Sequence, residues 1–300
     1  MYVAPPCTDI MQDQSEVVHY QDAAIPLFIK YGVLSTYPNL RALCHWHENL
    51  EFIRILKGRM NYHVNGKDIL LRENDCIMVN ARQMHYGYSF HRQDCEFICI
   101  LFHPSLFTPN KKLFQKYITP VTENSNIEYL HFDSREDYGK EAAAYLDYLF
   151  EKREQDAPGS ELEIIGAMHL FWNKIYKYCQ ENFQGERLPV SSDLSTQKDM
   201  VSYIYQHYMD KLTLDDIAAA GNICRSKCCS IFKHYLQQSP IDFLNAYRLK
   251  ISCNLLKETD QSITRIALSC GFNHLSYYSK LFFKAYGCTP SEYRTADRQH

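Results

Sequence analysis

The N-terminal part of the chain consists of short apolar runs separated by turn residues, which is the pattern of β-strands. Asn65-Gly66 predicts a type I′ hairpin, because both central residues of that turn need a positive φ. Strands this short and this evenly spaced predict a small antiparallel barrel over residues 1–130, including a polar N-terminal arm at 1–22. The runs are PLFIKYGVLS, EFIRILKG, RMNYHV, KDILL, DCIMVN and EFICILF.

Beyond residue 130 the apolar spacing becomes helical. Residues 135–154 and 161–183 predict two helices of a hairpin that spans 131–184. Apolar residues in the second helix recur at alternating spacings of three and four, which is a short coiled-coil seam and predicts dimerisation. Simple packing of the hairpin onto the barrel is the alternative. The residues of this seam are Ile165, Met168, Trp172 and Ile175.

The last part of the chain, residues 196–300, is predicted to be entirely helical. It follows a linker at 185–195 that is rich in Gly, Pro and Ser, and its first helix begins at about Thr196. Further on, an apolar stripe after the N-cap Ser262 predicts a short helix. Gly271 ends that helix, because glycine adopts the left-handed conformation without steric cost. A second apolar stripe follows, and two short helices with the second displayed form the device that enters a DNA major groove.

This helix-turn-helix pattern occurs twice. Thr213-Leu214 recurs as Ser262-Ile263 at an offset of 49 residues, whereas Ile231-Phe232 recurs as Leu281-Phe282 at an offset of 50. The second turn is therefore predicted to be one residue longer than the first. An internal repeat is stronger evidence for a DNA-binding domain than a single helix pair. The two predicted units are residues 213–235 and 262–286.

The second unit carries a family resemblance. IALSCGF, the SKLFFKAYG run and TPSEYR resemble the signature of the AraC/XylS family of bacterial transcription regulators. The resemblance covers about the last third of the chain. It implies a non-enzymatic regulator, expected to be an activator, that binds double-stranded promoter DNA as a homodimer and contacts RNA polymerase. Repression is equally compatible with these residues.

The resemblance also implies which residues contact DNA. Outward positions of the two displayed helices are expected to read base edges in the major groove. These positions are Ser226, Cys229, Ser230, Leu275, Ser276, Ser279 and Lys280. Basic residues beside them are expected to contact phosphates, which position a protein without specifying a sequence. These are Arg225, Lys227, Lys233 and Lys284.

Charge and composition agree with a sensor joined to a DNA binder. Residues 196–300 carry 13 basic and 9 acidic residues, a net charge of +4, whereas the whole chain of 300 residues has a net charge of −3. No apolar run reaches the roughly 18 residues of a membrane helix. The N-terminus lacks the basic start and apolar core of a signal peptide. The 12 scattered cysteines are thus expected to be reduced thiols in the cytoplasm, with no membrane partner.

A histidine motif within the barrel segment is the candidate sensing site. His45 and His47, then Glu51 and Gly58, have the HxH, three residues, E, six residues, G spacing that resembles the first motif of the cupin barrel. The second motif is degraded but supplies His85. Alternate residues of a strand point to the same side, so these groups could converge inside the barrel. Three imidazoles and a carboxylate would suit divalent iron, manganese, nickel or zinc.

Three interpretations of this motif remain open: a divalent metal site, a pocket that hydrogen-bonds a small effector, and purely structural histidines. We favour the effector pocket, with a carbohydrate as the first candidate because rings and polar groups lie close together. No cofactor is predicted apart from such a metal. The alternative function is a metal-dependent cupin enzyme fused to a DNA-binding domain. The predicted pocket residues are His45, Trp46, His47, Glu51, Arg54, Tyr62 and His85.

Overall fold

The computed structural model describes residues 9–10, 16–17, 25–107, 110–155, 157–183 and 192–297. The chain divides into two units, Met1–Val190 and Ser191–His300. The predicted arm at 1–22 lies outside the described residues apart from a two-stranded ladder, and so does the predicted linker as far as residue 191. None of the described helices has the length and apolar character needed to cross a membrane.

Antiparallel strands build most of the first unit. The larger sheet has the strand order β10-β7-β4-β9-β3, and the smaller one has the order β6-β5-β8. The described strands are β1 (Asp9–Ile10), β2 (Glu16–Val17), β3 (Leu27–Val33), β4 (Leu50–Gly58), β5 (Met60–Val64), β6 (Lys67–Leu71), β7 (Cys76–Val79), β8 (His85–Ser89), β9 (Cys95–Phe102) and β10 (Tyr129–Phe132).

Each of the six predicted runs contains a strand, and Asn65-Gly66 forms the β5–β6 hairpin with φ of 46° and 88°. The sequence pattern missed β8 and β10, besides the two-residue strands β1 and β2 of the arm. β8 has the sequence HYGYS, in which an inward histidine replaces the apolar residue that would have marked the strand. β10 pairs with β7, so the larger sheet continues to Phe132, two residues beyond the predicted limit at 130.

The larger sheet is buried on both faces. Its central strands send alternate residues to opposite sides, and each side packs into a separate core. On one face, Phe52 and Phe102 are stacked with ring centroids 5.8 Å apart and pack beneath helices. On the other face, Ile53 and Ile55 belong to a core shared with Tyr62 and other residues of the smaller sheet. The first unit therefore consists of two facing antiparallel sheets with helices on the outer side of the larger one.

Helices of the first unit follow the strands in the chain. Three short 3₁₀ segments, Leu34–Thr36, Pro38–Leu40 and Pro104–Phe107, connect strands or extend them. A π-helical turn, Phe114–Ile118, joins two one-turn helices. The α-helices are α1 (Lys111–Leu113), α2 (Thr119–Thr122), α3 (Asp137–Gln155) and α4 (Ser160–Asn182).

The predicted dimer seam on α4 belongs to the core of the first unit. Met168, Trp172 and Ile175 are at most 4% exposed, and the ring of Trp172 lies 5.3 Å from that of Phe107. Ile165 is half-buried at the edge of the same face. The prediction that Met168, Trp172 and Ile175 form a dimer contact is therefore wrong, whereas that for Ile165 stays a prediction. A spacing of three and four marks any buried face of a helix, whichever surface covers it.

The second unit is entirely helical in its described residues. Its first helix begins at Ser192, four residues before the predicted start at Thr196. Thr213 caps the second helix in a reciprocal capping box with Asp216. The helices are α5 (Ser192–His207), α6 (Leu214–Ala220), α7 (Arg225–Leu236), α8 (Pro240–Glu258), α9 (Ile263–Ser269), α10 (Leu275–Tyr286) and α11 (Pro290–Asp297).

The two helix-turn-helix units, α6–α7 and α9–α10, share their turn geometry up to one inserted residue. Asn222 follows α6 with a φ of 53°, and Gly271 follows α9 with a φ of 82°. In both units the next amide donates back to the helix over the same span, with N···O distances of 3.1 and 3.0 Å. The second unit then has Asn273 before its N-cap, so the predicted longer turn is confirmed.

Arg248 of α8 connects the end of α5 with the second turn. Its Nε donates to the carbonyl of Tyr208 at 2.7 Å, and its Nη2 donates to the carbonyl of Asp210 at 2.8 Å. The guanidinium also lies 5.7 Å from the ring centre of Phe272, just after the turn glycine. Because carbonyl groups near a helix end lack partners within the helix, this buried arginine satisfies them and fixes the α9–α10 turn against α5.

We expect Gly271→Ala to destabilise the protein more than Gly287→Ala. Both glycines have positive φ, so alanine should cost about 1 kcal/mol at either position. A Cβ at Gly271 would in addition collide with the carbonyl oxygen of Tyr208 and lie 2.8 Å from Nη2 of Arg248, whereas a Cβ at Gly287 meets nothing within 4 Å. Urea unfolding of the full-length variants should differ by about 1–2 kcal/mol. Equal losses would contradict this account of the turn.

Candidate effector site and nucleic-acid interface

Three histidines and one carboxylate converge between the two sheets. His85 begins β8, and the segment from Arg41 to His45 runs antiparallel beside that strand. The amide of His45 donates to the carbonyl of His85 at 3.1 Å, and the reverse bond measures 2.9 Å. Glu51 reaches the same place from β4, in the larger sheet. The predicted convergence of His45, His47, Glu51 and His85 is therefore found, and it joins the two sheets.

One oxygen of Glu51 is the common neighbour of the three rings. Its Oε2 lies 3.2 Å from Nε2 of His47, 3.2 Å from Nε2 of His85 and 3.9 Å from Nε2 of His45. The rings are inclined to one another by 51–71°, so they surround a point and do not stack. A potential ligand atom from each of the four side chains lies within 4.8 Å of the others. Among the residues that the structure describes, these four form the group that could hold a metal ion.

The far side of each ring is held by the backbone. Nδ1 lies 2.8 Å from the Leu43 carbonyl in His45, 3.0 Å from the Asn49 carbonyl in His47, and 2.8 Å from the Gln83 carbonyl in His85. A carbonyl oxygen only accepts hydrogen bonds, so Nδ1 is the donor in each ring. All three rings consequently turn Nε2 toward the carboxylate.

Glu51 is ionised in this setting. Burial alone would raise its pKa, but the charge of His85 and hydrogen bonds with His47 and His85 outweigh burial and hold the pKa well below its usual range. The hydroxyl of Tyr62 donates to Oε1 of Glu51. Burial and the nearby charge of Glu51 raise the pKa of Tyr62, so the phenol keeps its proton. The cluster combines a fixed negative charge with ring nitrogens in an otherwise apolar core.

Access to the cluster is from the side of His45. This side chain is 24% exposed, whereas those of His47 and His85 are each 1% exposed. Trp46 lies between the two histidines of the motif and is half-buried. Apolar side chains from both sheets fill the neighbouring core, so a ligand that reaches the carboxylate has to approach past His45.

Arg54 does not belong to this site, contrary to the sequence-based prediction. It is three residues from Glu51 on β4, and side chains alternate along a strand, so it points to the opposite face of the sheet. There its Nη2 lies 3.2 Å from Oδ2 of Asp147 on α3 and 3.2 Å from Oδ1 of Asn74. Its Nη1 donates to the carbonyl of Ile55. Arg54 thus links β4 to the helical hairpin.

The displayed helix of the first helix-turn-helix, α7, buries one side and exposes the other, as predicted from its phase. Cys228, Ile231 and Phe232 are buried. Ser226, Cys229, Ser230 and Lys233 are exposed. The exposed side of α7 therefore carries two serines and a thiol, with Lys233 one turn further along.

Two basic residues at the start of α7 already have acidic partners. Arg225 forms a two-point ion pair with Asp215 of α6. Nζ of Lys227 lies 2.6 Å from Oδ2 of Asp193 on α5. These exposed pairs are weak, yet they reduce the positive charge that the first helix-turn-helix offers to phosphates. The sequence does not reveal them, because the partners lie 10 and 34 residues away in the chain.

The displayed helix of the second helix-turn-helix, α10, is more apolar on its outer side than α7. Leu275, Ser276 and Lys280 are exposed, and Ser279 is half-buried. Phe283 is 55% exposed on the same face as Ser276 and Lys280, seven and three residues further on. Phe283 is not among the positions predicted from the sequence, although its spacing from Ser276 places it on this face. Within the described residues, Lys280 and Lys284 form no ion pair.

Comparison with known proteins assigns a family to each of the two parts of the chain. Residues 31–135 match the family described as "AraC-like ligand binding domain", and residues 217–296 match that described as "Helix-turn-helix domain". The Melibiose operon regulatory protein of Escherichia coli K12 is 31% identical over 274 residues, which cover 87% of this chain and 86% of that protein. This chain belongs to the AraC family of transcriptional regulators.

Two other proteins that are similar to this chain differ in how close the likeness is. The uncharacterized HTH-type transcriptional regulator YdeC of Bacillus subtilis is 27% identical over 286 residues, covering 95% of this chain and 97% of that protein. The crystal structure of ToxT from Vibrio cholerae covers 90% of this chain and 97% of its own, with a TM-score of 0.45 and 15% identity. The predicted family and fold class are confirmed. Membership of the AraC family points to regulation.

The position of Arg54 in this AraC-family regulator can be tested by a double-mutant cycle. We expect Arg54→Met and Asp147→Ala to couple by about 0.5–1 kcal/mol in unfolding free energy, because the arginine is buried and its partner is partly exposed. Glu151, exposed one turn further along α3, provides the control partner and should give additive losses with Arg54→Met. Additivity for Asp147 as well would place Arg54 away from α3.

Proposed function

We propose that this regulator binds a specific DNA sequence through α7 and α10 and activates transcription under the control of a small-molecule effector. The observation that carries the proposal is the pair of repeated helices, each with a buried side and an exposed polar side of the same phase. Two such helices in one unit suit successive major grooves on one face of a duplex. Operation in the cytoplasm and contact with RNA polymerase at the promoter belong to the same proposal.

Within this proposal the second helix-turn-helix, α9–α10, is the main reader of base sequence. Leu275 can touch a thymine methyl group, and Ser276, Ser279 and Lys280 can hydrogen-bond base edges. Phe283 adds an apolar surface one turn beyond. In the first helix-turn-helix, Ser226, Cys229 and Ser230 have short side chains, and the charges of Arg225 and Lys227 are already paired. That unit should contribute more through backbone contacts and DNA shape, with Lys233 on phosphate.

The effector site in this proposal is the cluster of His45, His47, Glu51, Tyr62 and His85. A carbohydrate remains the candidate taken from the sequence, and the similarity to the Melibiose operon regulatory protein supports it through that protein's name. Carboxylate, phenol and imidazole groups are suitable partners for sugar hydroxyls. A panel of sugars tested by thermal shift of the full-length protein would examine this candidate.

We also propose that the regulator acts as a homodimer through the outer side of α4, in place of the seam that the sequence indicated. Leu162 and Leu170 are 76% and 61% exposed on this side, eight residues apart. Gly166 lies midway, and a Cβ there would meet nothing within 4 Å, so a second backbone could approach closely. The same face of a second copy is the occupant that suits this stripe, since a two-fold interface is self-complementary.

Substitution of two lysines on α10 separates base reading from phosphate contact. The reference duplex is selected from a random library by the full-length protein. We expect Lys280→Ala to lower affinity for it by about 1–3 kcal/mol, with a smaller effect on unrelated DNA. Lys284→Ala should weaken binding to both duplexes alike, and it should reduce the slope of log affinity against log salt concentration by about 1. Equal behaviour of the two variants, or failure to select any sequence, would contradict the proposal.

The dimer surface is tested by Leu162→Glu combined with Leu170→Glu. Two carboxylates at the centre of a self-complementary interface should convert dimer to monomer, because each charge would be buried against its own copy. Light scattering of the full-length protein measures the mass. Leu113→Glu, at another exposed leucine of the first unit, is the matched control and should leave a dimer. A wild-type monomer, or a double variant that stays dimeric, would exclude this surface.

A further inference from the structure

We propose that His45, His47, His85 and Glu51 bind one divalent transition-metal ion, and that this ion is what the sensor unit detects. The inference rests on the proposed function, because it identifies the chemistry of the ligand at the effector site. It replaces the carbohydrate with a cation at the same four side chains. The argument depends on distances, on ring orientation and on the way the cluster connects the two sheets.

The distances already approach those of a metal site. Ligand atoms that each bind an ion at about 2.0–2.2 Å lie roughly 3–3.5 Å from one another. Nε2 of His47 and of His85 both lie 3.2 Å from Oε2 of Glu51, and Nε2 of His45 lies 3.9 Å from it. Small side-chain shifts, chiefly of the partly exposed His45, would bring all four donors around one ion.

The ring orientations favour a cation at this point. Each Nδ1 donates to a backbone carbonyl at 2.8–3.0 Å, so Nε2 is the nitrogen that each ring would turn to a metal ion. Metal-binding histidines are held in this way, with the second nitrogen donating to a carbonyl or carboxylate. Here three independent carbonyls, of Leu43, Asn49 and Gln83, set the same orientation in three rings.

The donor set restricts the kind of ion. Three imidazoles and one carboxylate suit zinc, iron(II), cobalt(II), nickel(II) or manganese(II). Magnesium and calcium prefer sites made of oxygen atoms, and copper(I) prefers sulfur ligands. His47, His85 and Glu51 are at least 95% buried, so the ion would be shielded from water on most sides. The side of His45 would be its path of entry.

Occupancy of the site would be felt on the opposite face of the larger sheet. The ion would join Glu51 of β4 to His85 of β8 and so connect the two sheets. Phe52, the next residue of β4, packs 5.3 Å from Phe171 on α4. Phe171 adjoins Leu170 of the proposed dimer surface. A change in the position of β4 therefore has a packed route to the helix that the dimer proposal uses.

Metal binding is tested on full-length protein that has been freed of metal with a chelator. Titration with Zn²⁺, and with Co²⁺ as a spectroscopic probe, should give one ion per chain. X-ray absorption of the cobalt form should show three imidazole ligands. His45→Ala, the ligand variant with the least burial, should weaken binding by about a hundredfold or more. His169→Ala, an exposed histidine on α4 whose Nδ1 also faces a carbonyl, is the matched control and should bind metal normally.

Sensing is tested with the same protein and the selected duplex. We expect metal to change the specific DNA affinity by about 5–150-fold, and His45→Ala to remove this effect. Absence of stoichiometric metal, a bound ion unaffected by His45→Ala, or a sugar that stabilises the metal-free protein through these residues would overturn the inference. Sequence-specific DNA binding would still uphold the proposed function. Metal uptake without any specific DNA binding would instead refute the proposed function and the sensing role, and would leave only the metal site.

Discussion

The strand β4 is buried on both faces, and this constraint organises the whole sensor unit. It lies at the centre of the larger sheet, between β7 and β9, so its side chains from Leu50 to Ile55 each belong to one of two cores. Glu51 faces the smaller sheet and meets three histidines, whereas Phe52 and Arg54 face the helical hairpin. A charged residue is tolerated on each face because partners surround it. The polar site and the packing against the helices consequently depend on consecutive residues of one strand, Glu51 and Phe52.

The same principle of partnered burial explains the DNA-binding unit. Arg248 is buried in α8, and the carbonyls of Tyr208 and Asp210 accept its hydrogen bonds at the end of α5. The turn at Gly271 packs against this arrangement so closely that a side chain has no room there. Helices that read DNA need fixed positions, because misplacement of a base contact removes its discrimination. The buried arginine supplies that rigidity between the two helix-turn-helix units.

The two helix-turn-helix motifs differ in the charge of their exposed sides, although their backbones fold alike. At the start of α7, Arg225 and Lys227 are paired with aspartates of the preceding helices. The corresponding residues of α10 are Leu275 and Tyr277, and its basic residues come later in the helix. The two helix pairs thus share the turn and the buried side, whereas their exposed sides differ. This is expected, because packing constrains the buried positions and only the nucleic acid constrains the outer ones.

The sequence by itself determined the elements that depend on local chemistry. Hydrophobic period, the Asn65-Gly66 turn and the 49/50 offset predicted strands, hairpin and duplicated helix pairs, because each signal acts within a few residues. The convergence of His45, His47, Glu51 and His85 was also readable from spacing. Tertiary structure decided which surface covers each apolar or charged face. It turned Arg54 toward Asp147, and it buried Met168 and Trp172 against the sheet and not against a second chain. Periodicity reports that a face is buried, but the partner comes from residues far away in the chain.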